Sequence, residues 1–287
     1  MATARLAVVL AALVAIPGCG RDGDGADGRV GVVASFYPLA EAARRVGGDR
    51  ARVDDLTPAG AEPHDLELTS GQVDAIERAE VVFYLGHGFQ PSVEKAVRRS
   101  DGLLVDVLRG VETSDPHVWL DPVQMKGVVE RVRDAYADVD KPRASRYQAN
   151  ADGFARELDA LDAAFRQGLQ DCDRRVFVTT HGAFGHLARR YGLTQRAIAG
   201  LSPESEPAPG RLSALADEVR AEGITTVFTE TLVSPRVADS LAREAGVKTA
   251  VLNPLEGLTE DDLRHGRSYV SVMYDNLTAL RSALGCR

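Results

Sequence analysis

Three of the six histidines in this 287-residue chain stand in short, turn-rich segments far apart in sequence. They are His64 in Gly60-Ala-Glu-Pro-His64-Asp65, His117 in Asp115-Pro-His117-Val-Trp-Leu-Asp-Pro122, and His181 in Thr179-Thr180-His181-Gly182. Each falls where a strand or loop should end, away from any apolar face. Imidazole is the commonest protein ligand for borderline-soft divalent ions. Three such ligands from distant segments describe a transition-metal site, zinc first, that exists only once the chain folds. The other histidines carry no such pattern. His186 follows His181 at a spacing poor for joint ligation and reads as structural. His87 lies in the glycine loop Gly86-His87-Gly88 as a surface or rim residue, and His265 reads as exposed. No His-Glu-x-x-His pair, Gly-x-Ser-x-Gly elbow or Gly-x-x-x-x-Gly-Lys phosphate loop is present, which argues against metalloprotease, hydrolase and ATPase readings. A zinc-dependent hydrolase of another kind is the alternative function.

The elements that must position these residues alternate between strand and helix. Val30–Phe36, Arg52–Leu56, Val81–Leu85 and Leu103–Asp106 read as strands, and Leu39–Val46 and Thr69–Ala79 as helices, the latter with Ser70 as its cap. Strands resume at Val176–Thr180, Thr225–Thr229 and Lys248–Leu252, with helices over Gly182–Tyr191, Arg211–Glu222 and Pro235–Gly246. Such alternation implies parallel sheets with helices on their faces. Residues 142–170 differ: Tyr147, Ala151, Phe154, Leu158, Leu161, Phe165 and Leu169 recur at helical spacing without an internal proline. That predicts one helix of about 29 residues, roughly 43 Å long, with Pro142 in its first turn. The predicted fold class is therefore α/β: two lobes, residues 29–140 and 172–287, each with a mostly parallel sheet, joined by one long rigid helix at 141–171. Ligands of open α/β sheets sit beyond the carboxyl ends of strands, so the metal belongs between the lobes. His181 and Asn253 each follow directly on a strand of the second lobe.

The first residues address the chain to an exported compartment. Arg5 is the only charge in residues 1–18, Leu6–Ile16 is nearly all apolar, and Pro17-Gly18-Cys19 follows. This is a secretory signal, too short to span a membrane, and Ile16-Pro17-Gly18-Cys19 resembles a bacterial lipobox with Cys19 as the lipidated residue. Pro17 is unusual there. Residues 19–28 are polar and glycine-rich, as in a flexible tether. A net charge of −8 without a basic cluster argues against nucleic acid as a partner. An exported setting permits a disulfide between Cys172 and Cys286.

Taken together, Ser35-Phe-Tyr-Pro-Leu39, Glu62-Pro-His-Asp65, Asp115-Pro-His-Val-Trp-Leu-Asp-Pro122, Thr180-His-Gly-Ala-Phe184, Gly200-Leu-Ser-Pro203 and Leu252-Asn-Pro-Leu255 resemble the solute-binding proteins of metal ABC transporters. These form the zinc- and manganese-binding family that includes lipoproteins once called adhesins. The resemblance covers nearly all of the chain after the signal. It implies a periplasmic-binding-protein-like fold of two lobes bridged by a rigid helix, with His64, His117 and His181 as the first three metal ligands. It also implies zinc rather than manganese as the transported ion, because histidine stands at the third position. A manganese-binding or adhesin-type homologue is the alternative within the family. The implied partners are permease subunits with their cytoplasmic ATPase, met by a lipid-anchored monomer at the outer face of the cytoplasmic membrane. One departure stands out: the family usually places aspartate as fourth ligand where this chain has Asn253, and a neutral amide is the weaker zinc donor. That leaves the fourth position open between Asn253 and Glu230, which ends a strand in the second lobe, with Glu62 and water as further alternatives. The stretch Leu108–Asp115 holds no histidine-rich loop, which predicts a single high-affinity site.

Overall fold

The computed structural model describes residues 28–208 and 210–287. The expected signal sequence and Cys19 lie outside the described residues. The first half runs β1 (Val30–Ala34), α1 (Tyr37–Gly47), β2 (Ala51–Asp55), α2 (Ser70–Arg78), β3 (Val81–Tyr84), α3 (Pro91–Ala96) and β4 (Leu103–Asp106). Two long helices follow, α4 (Pro122–Val139) and α5 (Ala144–Leu169). The second half runs β5 (Val176–Thr179), α6 (Gly185–Arg190), β6 (Thr194–Ala197), α7 (Arg211–Ala221), β7 (Thr226–Thr229), α8 (Arg236–Ala245), β8 (Lys248–Val251), α9 (Glu260–Arg264) and α10 (Tyr269–Leu284).

The strands form two four-stranded sheets of the same order, β2-β1-β3-β4 and β6-β5-β7-β8. Every neighbouring pair is parallel. Side chains alternate between the two faces of a strand, and here both faces are buried. Val32, Phe83, Phe177 and Phe228 enter a large core shared by both halves. Their sequence neighbours Val33 and Val82 pack under α2 and α3 in a smaller cluster, and Val178 and Val227 under α7 and α8 in another. Burial on both sides explains why the central strands are apolar runs without polar alternation. The edge strand β6 has no such run; its Thr194-Gln-Arg-Ala197 is mostly half-exposed, and it is absent from the strands expected above. The sequence-based helix list also lacks α3, α4, α9 and α10.

Helix α5 has 26 residues, about 39 Å at 1.5 Å per residue. It is shorter than expected because Pro142 sits in a preceding 3-10 turn, Lys141–Arg143, where the chain reverses out of α4. All seven apolar positions of its stripe are buried, each such large side chain contributing roughly 1.5–3 kcal/mol relative to exposure. The stripe binds both halves. Tyr147 stacks on Tyr136 of α4 with ring centroids 4.9 Å apart, and the Asn150 amide donates to the Val46 carbonyl of α1. Farther along, Phe154 meets Tyr269 of α10 edge-on and Phe165 stacks on Tyr191 at 5.1 Å. Gly168 lies against Leu277 and Arg281 of α10, where an added Cβ would come within 3.1 Å of both side chains.

Helix α2 is capped by Thr69, not Ser70: its hydroxyl accepts from the Gln72 amide N–H, and the Gln72 side chain accepts from Thr69 N–H in a reciprocal capping box. A disulfide joins Cys172, just after α5, to Cys286 near the carboxyl end of the described chain. Among the described residues, no helix is long and apolar enough to cross a membrane.

Candidate metal centre

The carboxyl edges of the two sheets face one another, and the three histidines meet between them. His181 is two residues beyond β5, where the backbone is still held by the strand. His117 follows β4 at a longer distance and depends on its own turn. The Asp115 carboxylate accepts from His117 N–H at 3.1 Å, and a 3-10 turn, Val118–Leu120, leads from there into α4. Asp121 is the cap of α4, accepting from Val123 N–H at 2.9 Å and pairing with Arg190. His64 lies on the long loop after β2. That loop is fixed by the Thr57 hydroxyl donating to the Ser35 carbonyl at 2.8 Å and by Gly60 N–H donating across the cleft to the Leu258 carbonyl at 2.9 Å. The His64 ring packs edge-on against Phe89, centroids 4.5 Å apart.

A fourth residue completes the group. Glu256, five residues beyond β8, joins His64, His117 and His181 with one potential ligand atom each, all within 4.8 Å of one another. A single oxygen, Oε1 of Glu256, lies 3.3 Å from His64 Nε2, 3.2 Å from His117 Nε2 and 3.2 Å from His181 Nε2. An ion held tetrahedrally at about 2.0–2.1 Å, the usual Zn–N and Zn–O lengths, separates its donors by roughly 3.3–3.4 Å. The three distances from Oε1 thus match three of the six edges of a zinc tetrahedron, and the donor set is of borderline-soft nitrogens and one carboxylate. His117 Nε2 is buried without any hydrogen-bond partner, an unmet demand that a metal ion would satisfy.

Two of the imidazoles are backed by carboxylates. Asp115 Oδ1 stands 2.8 Å from His117 Nδ1, and Glu230 Oε2 stands 2.6 Å from His181 Nδ1. These pairs direct the proton to Nδ1 and leave Nε2 as the lone-pair donor facing inward. Burial is nearly complete, at 0 % exposure for His117 and His181 and 1 % for Glu256, so the charges act in a poorly screened setting. Burial alone would raise the Glu256 carboxyl, but His117, His181 and His64 outweigh it and hold it well below the usual carboxylate range. Burial pulls the His181 imidazole down, yet Glu230 and Glu256 prevail and push it up to about 10. His117 is likewise raised: burial lowers it, but Asp115 and Glu256 outweigh that.

Neither Asn253 nor Glu230 lies in the four-atom group. Asn253 turns its side chain back on its own turn, its Oδ1 accepting from Leu255 N–H at 2.7 Å. Glu230 spends both oxygens on His181, one on its N–H at 3.0 Å and one on Nδ1. Glu62, the further alternative, lies outside the four-atom group. Its buried oxygens have no hydrogen-bond partner, and burial together with the nearby Glu256 carboxylate pushes it up to about 7. The missed residue had a signal in the sequence: Glu256 is a lone carboxylate within Leu252–Leu258, an otherwise uncharged segment that is buried throughout, and a buried charge requires a partner. The remaining histidines stay outside the group. His186 is buried and bonds the Asp115 carbonyl and Gln124. His87, in the left-handed region at φ 65°, approaches the Thr113 carbonyl, and His265 is exposed on α9's end beside Asp261.

Comparison with known proteins now decides the family. Residues 32–283 match the model of the zinc-uptake complex component A periplasmic family, ZnuA. The chain belongs to this family. Within it, the chain is 38 % identical over 280 residues to the zinc-binding lipoprotein AdcA of Streptococcus pneumoniae, covering 89 % of this chain and 56 % of that protein. It thus spans little more than half the length of that relative. It is 31 % identical over 308 residues to the high-affinity zinc uptake system protein ZnuA of Bacillus subtilis, covering 97 % of each. Among solved structures, the Zn(II)-bound ZnuA-like domain of pneumococcal AdcA superimposes with a TM-score of 0.78 at 38 % identity, over 90 % of this chain and 99 % of that one. The laminin-binding protein of Streptococcus agalactiae, described as having both adhesin and metal-transporting activity, gives 0.82 at 29 % identity, over 88 % and 98 % of the two chains.

Proposed function

We propose that the chain is the extracytoplasmic solute-binding component of a metal-ion ABC importer, capturing Zn2+ between its lobes and delivering it to a membrane permease with its cytoplasmic ATPase. In this reading His64, His117, His181 and Glu256 are the four zinc ligands. The single observation that carries it is the group of three Nε2 atoms set 3.2–3.3 Å from one carboxylate oxygen, a donor–donor separation of the kind found around tetrahedral zinc. Four protein donors fill that shell, whereas catalytic zinc keeps a position open for water or substrate; the site is suited to holding an ion and not to turning over a substrate. The three nitrogens favour zinc over manganese, which prefers more oxygen ligands. Lipidation at Cys19 would hold the protein, as a monomer, at the outer face of the cytoplasmic membrane. The boundaries 29–140, 141–171 and 172–287 describe the lobes and the helix that limits their relative motion. Competitive titration with zinc and manganese, coupled to metal analysis of the purified protein, tests the proposal. One tightly held zinc per chain, displaced by manganese only at large excess, is expected; preference for manganese or no stoichiometric uptake would refute it.

A further inference from the structure

The turn that presents Glu256 is built in an uncommon way. Leu255, one residue before the ligand, has φ 56°, one of only two non-glycine residues in the left-handed region among the described residues. A branched side chain avoids that region, and strain of this kind persists only where its surroundings impose it. Here they do so completely. Asn276, on α10 and 2 % exposed, sets its amide against residue 253: its Oδ1 accepts from Asn253 N–H at 2.8 Å and its Nδ2 donates to the Asn253 carbonyl at 2.7 Å. The Asn253 side chain then bonds Leu255 N–H, closing a local turn of the kind asparagine favours. Trp119 Nε1 donates to the Pro254 carbonyl at 2.8 Å from the other half of the molecule, and the Tyr269 hydroxyl in turn holds the Trp119 carbonyl.

We propose that Asn276 is a positioning residue for zinc capture, fixing through Asn253 the one turn conformation that aims Glu256 at the three imidazoles. The inference rests on Glu256 being the fourth zinc ligand. A primary amide offers an acceptor and a donor side by side, and here they engage both backbone groups of a single residue; ionised aspartate keeps the acceptor and loses the donor, and alanine loses both. The same geometry explains why asparagine suffices at position 253. Its side chain shapes the turn and leaves coordination to the residue three positions on.

The test is a double-mutant cycle on the full chain, because coupling isolates action through a partner. Zinc affinity is read by competition with a chromophoric chelator, and melting of the metal-free protein is followed in parallel. Asn276→Asp should weaken zinc binding about 10–100-fold, the usual cost of losing an outer-shell support, and should change it less than about threefold in the Glu256→Ala background. Asn276→Ala gives the same readout should the aspartate variant fail to fold. Equal losses in both backgrounds, or a lowered melting temperature with parental zinc affinity, would overturn the inference while leaving Glu256 as a ligand. Parental affinity in Glu256→Ala alone would remove the fourth-ligand reading, and the inference with it.

Discussion

His117 and His181 share one kind of corner in the metal centre and His64 has another. The first two are fully buried, each with its Nδ1 against a carboxylate, and His181 stands almost on its strand. His64 rides a loop nine residues past β2. Its side chain is 8 % exposed, and its ring is located by an aromatic contact with Phe89. Two imidazoles are therefore set at Nδ1 by a carboxylate and by burial, and the third by its ring contact with Phe89 and its approach to Glu256. Electrostatic backing fixes a tautomer as well as a position; an edge-on ring contact fixes only the position.

That contrast can be broken most directly at the ligands. His117→Ala and His181→Ala should each lower zinc affinity by orders of magnitude in chelator competition with the fold intact by circular dichroism. His64→Ala should cost visibly less, since water can reach a partly exposed corner; an equal loss at all three would erase the distinction. At the next level, Asp115→Asn and Glu230→Gln should each weaken zinc about 10–100-fold, and parental affinity in both would show that burial alone orients the imidazoles. The smallest and most graded effect is on pH dependence. His181 has its pKa raised from 6.5 to about 10, so at neutral pH zinc must displace its proton, and affinity should climb as pH rises toward that value. The slope should survive His64→Ala. For the metal-free protein the sign reverses: the raised His181 contributes stability that is full below about 6.5 and fades as pH rises through about 10. The depressed Glu256 contributes above about 4.5 and fades as pH falls through its lowered value. Calorimetric proton release and metal-free melting curves across this range check both signs.

The strands legible in the sequence are those whose two faces are both buried, because burial leaves an apolar run. Edge strand β6, half-wet, leaves none. The stripe of α5 was readable to the residue, since a helix packed along its whole length on one side must repeat its apolar positions. Its start was misplaced because Pro142 suits a 3-10 turn as well as a first helical turn. The three histidines were legible from their turn contexts. Glu256, the fourth member of the group, was not, because attention to residue 253 assumes that the side chain following a strand points into the cleft. Whether it does so is decided by Asn276, distant in sequence, and by the left-handed backbone at Leu255. The backing roles of Asp115 and Glu230 are likewise tertiary facts, although Asp115 lies only two residues from its partner.

The Cys172–Cys286 bond closes a ring of chain 114 residues in span that contains every strand and helix of the second half. It lies at the amino-terminal side of β5, away from the edge that carries the metal ligands. With its far end sewn back to the exit of α5, α10 is no longer a loose terminal helix, and a second molecule cannot borrow it by exchange of chain ends. The helix that carries Asn276 therefore stays tied to the sheet of its own second half.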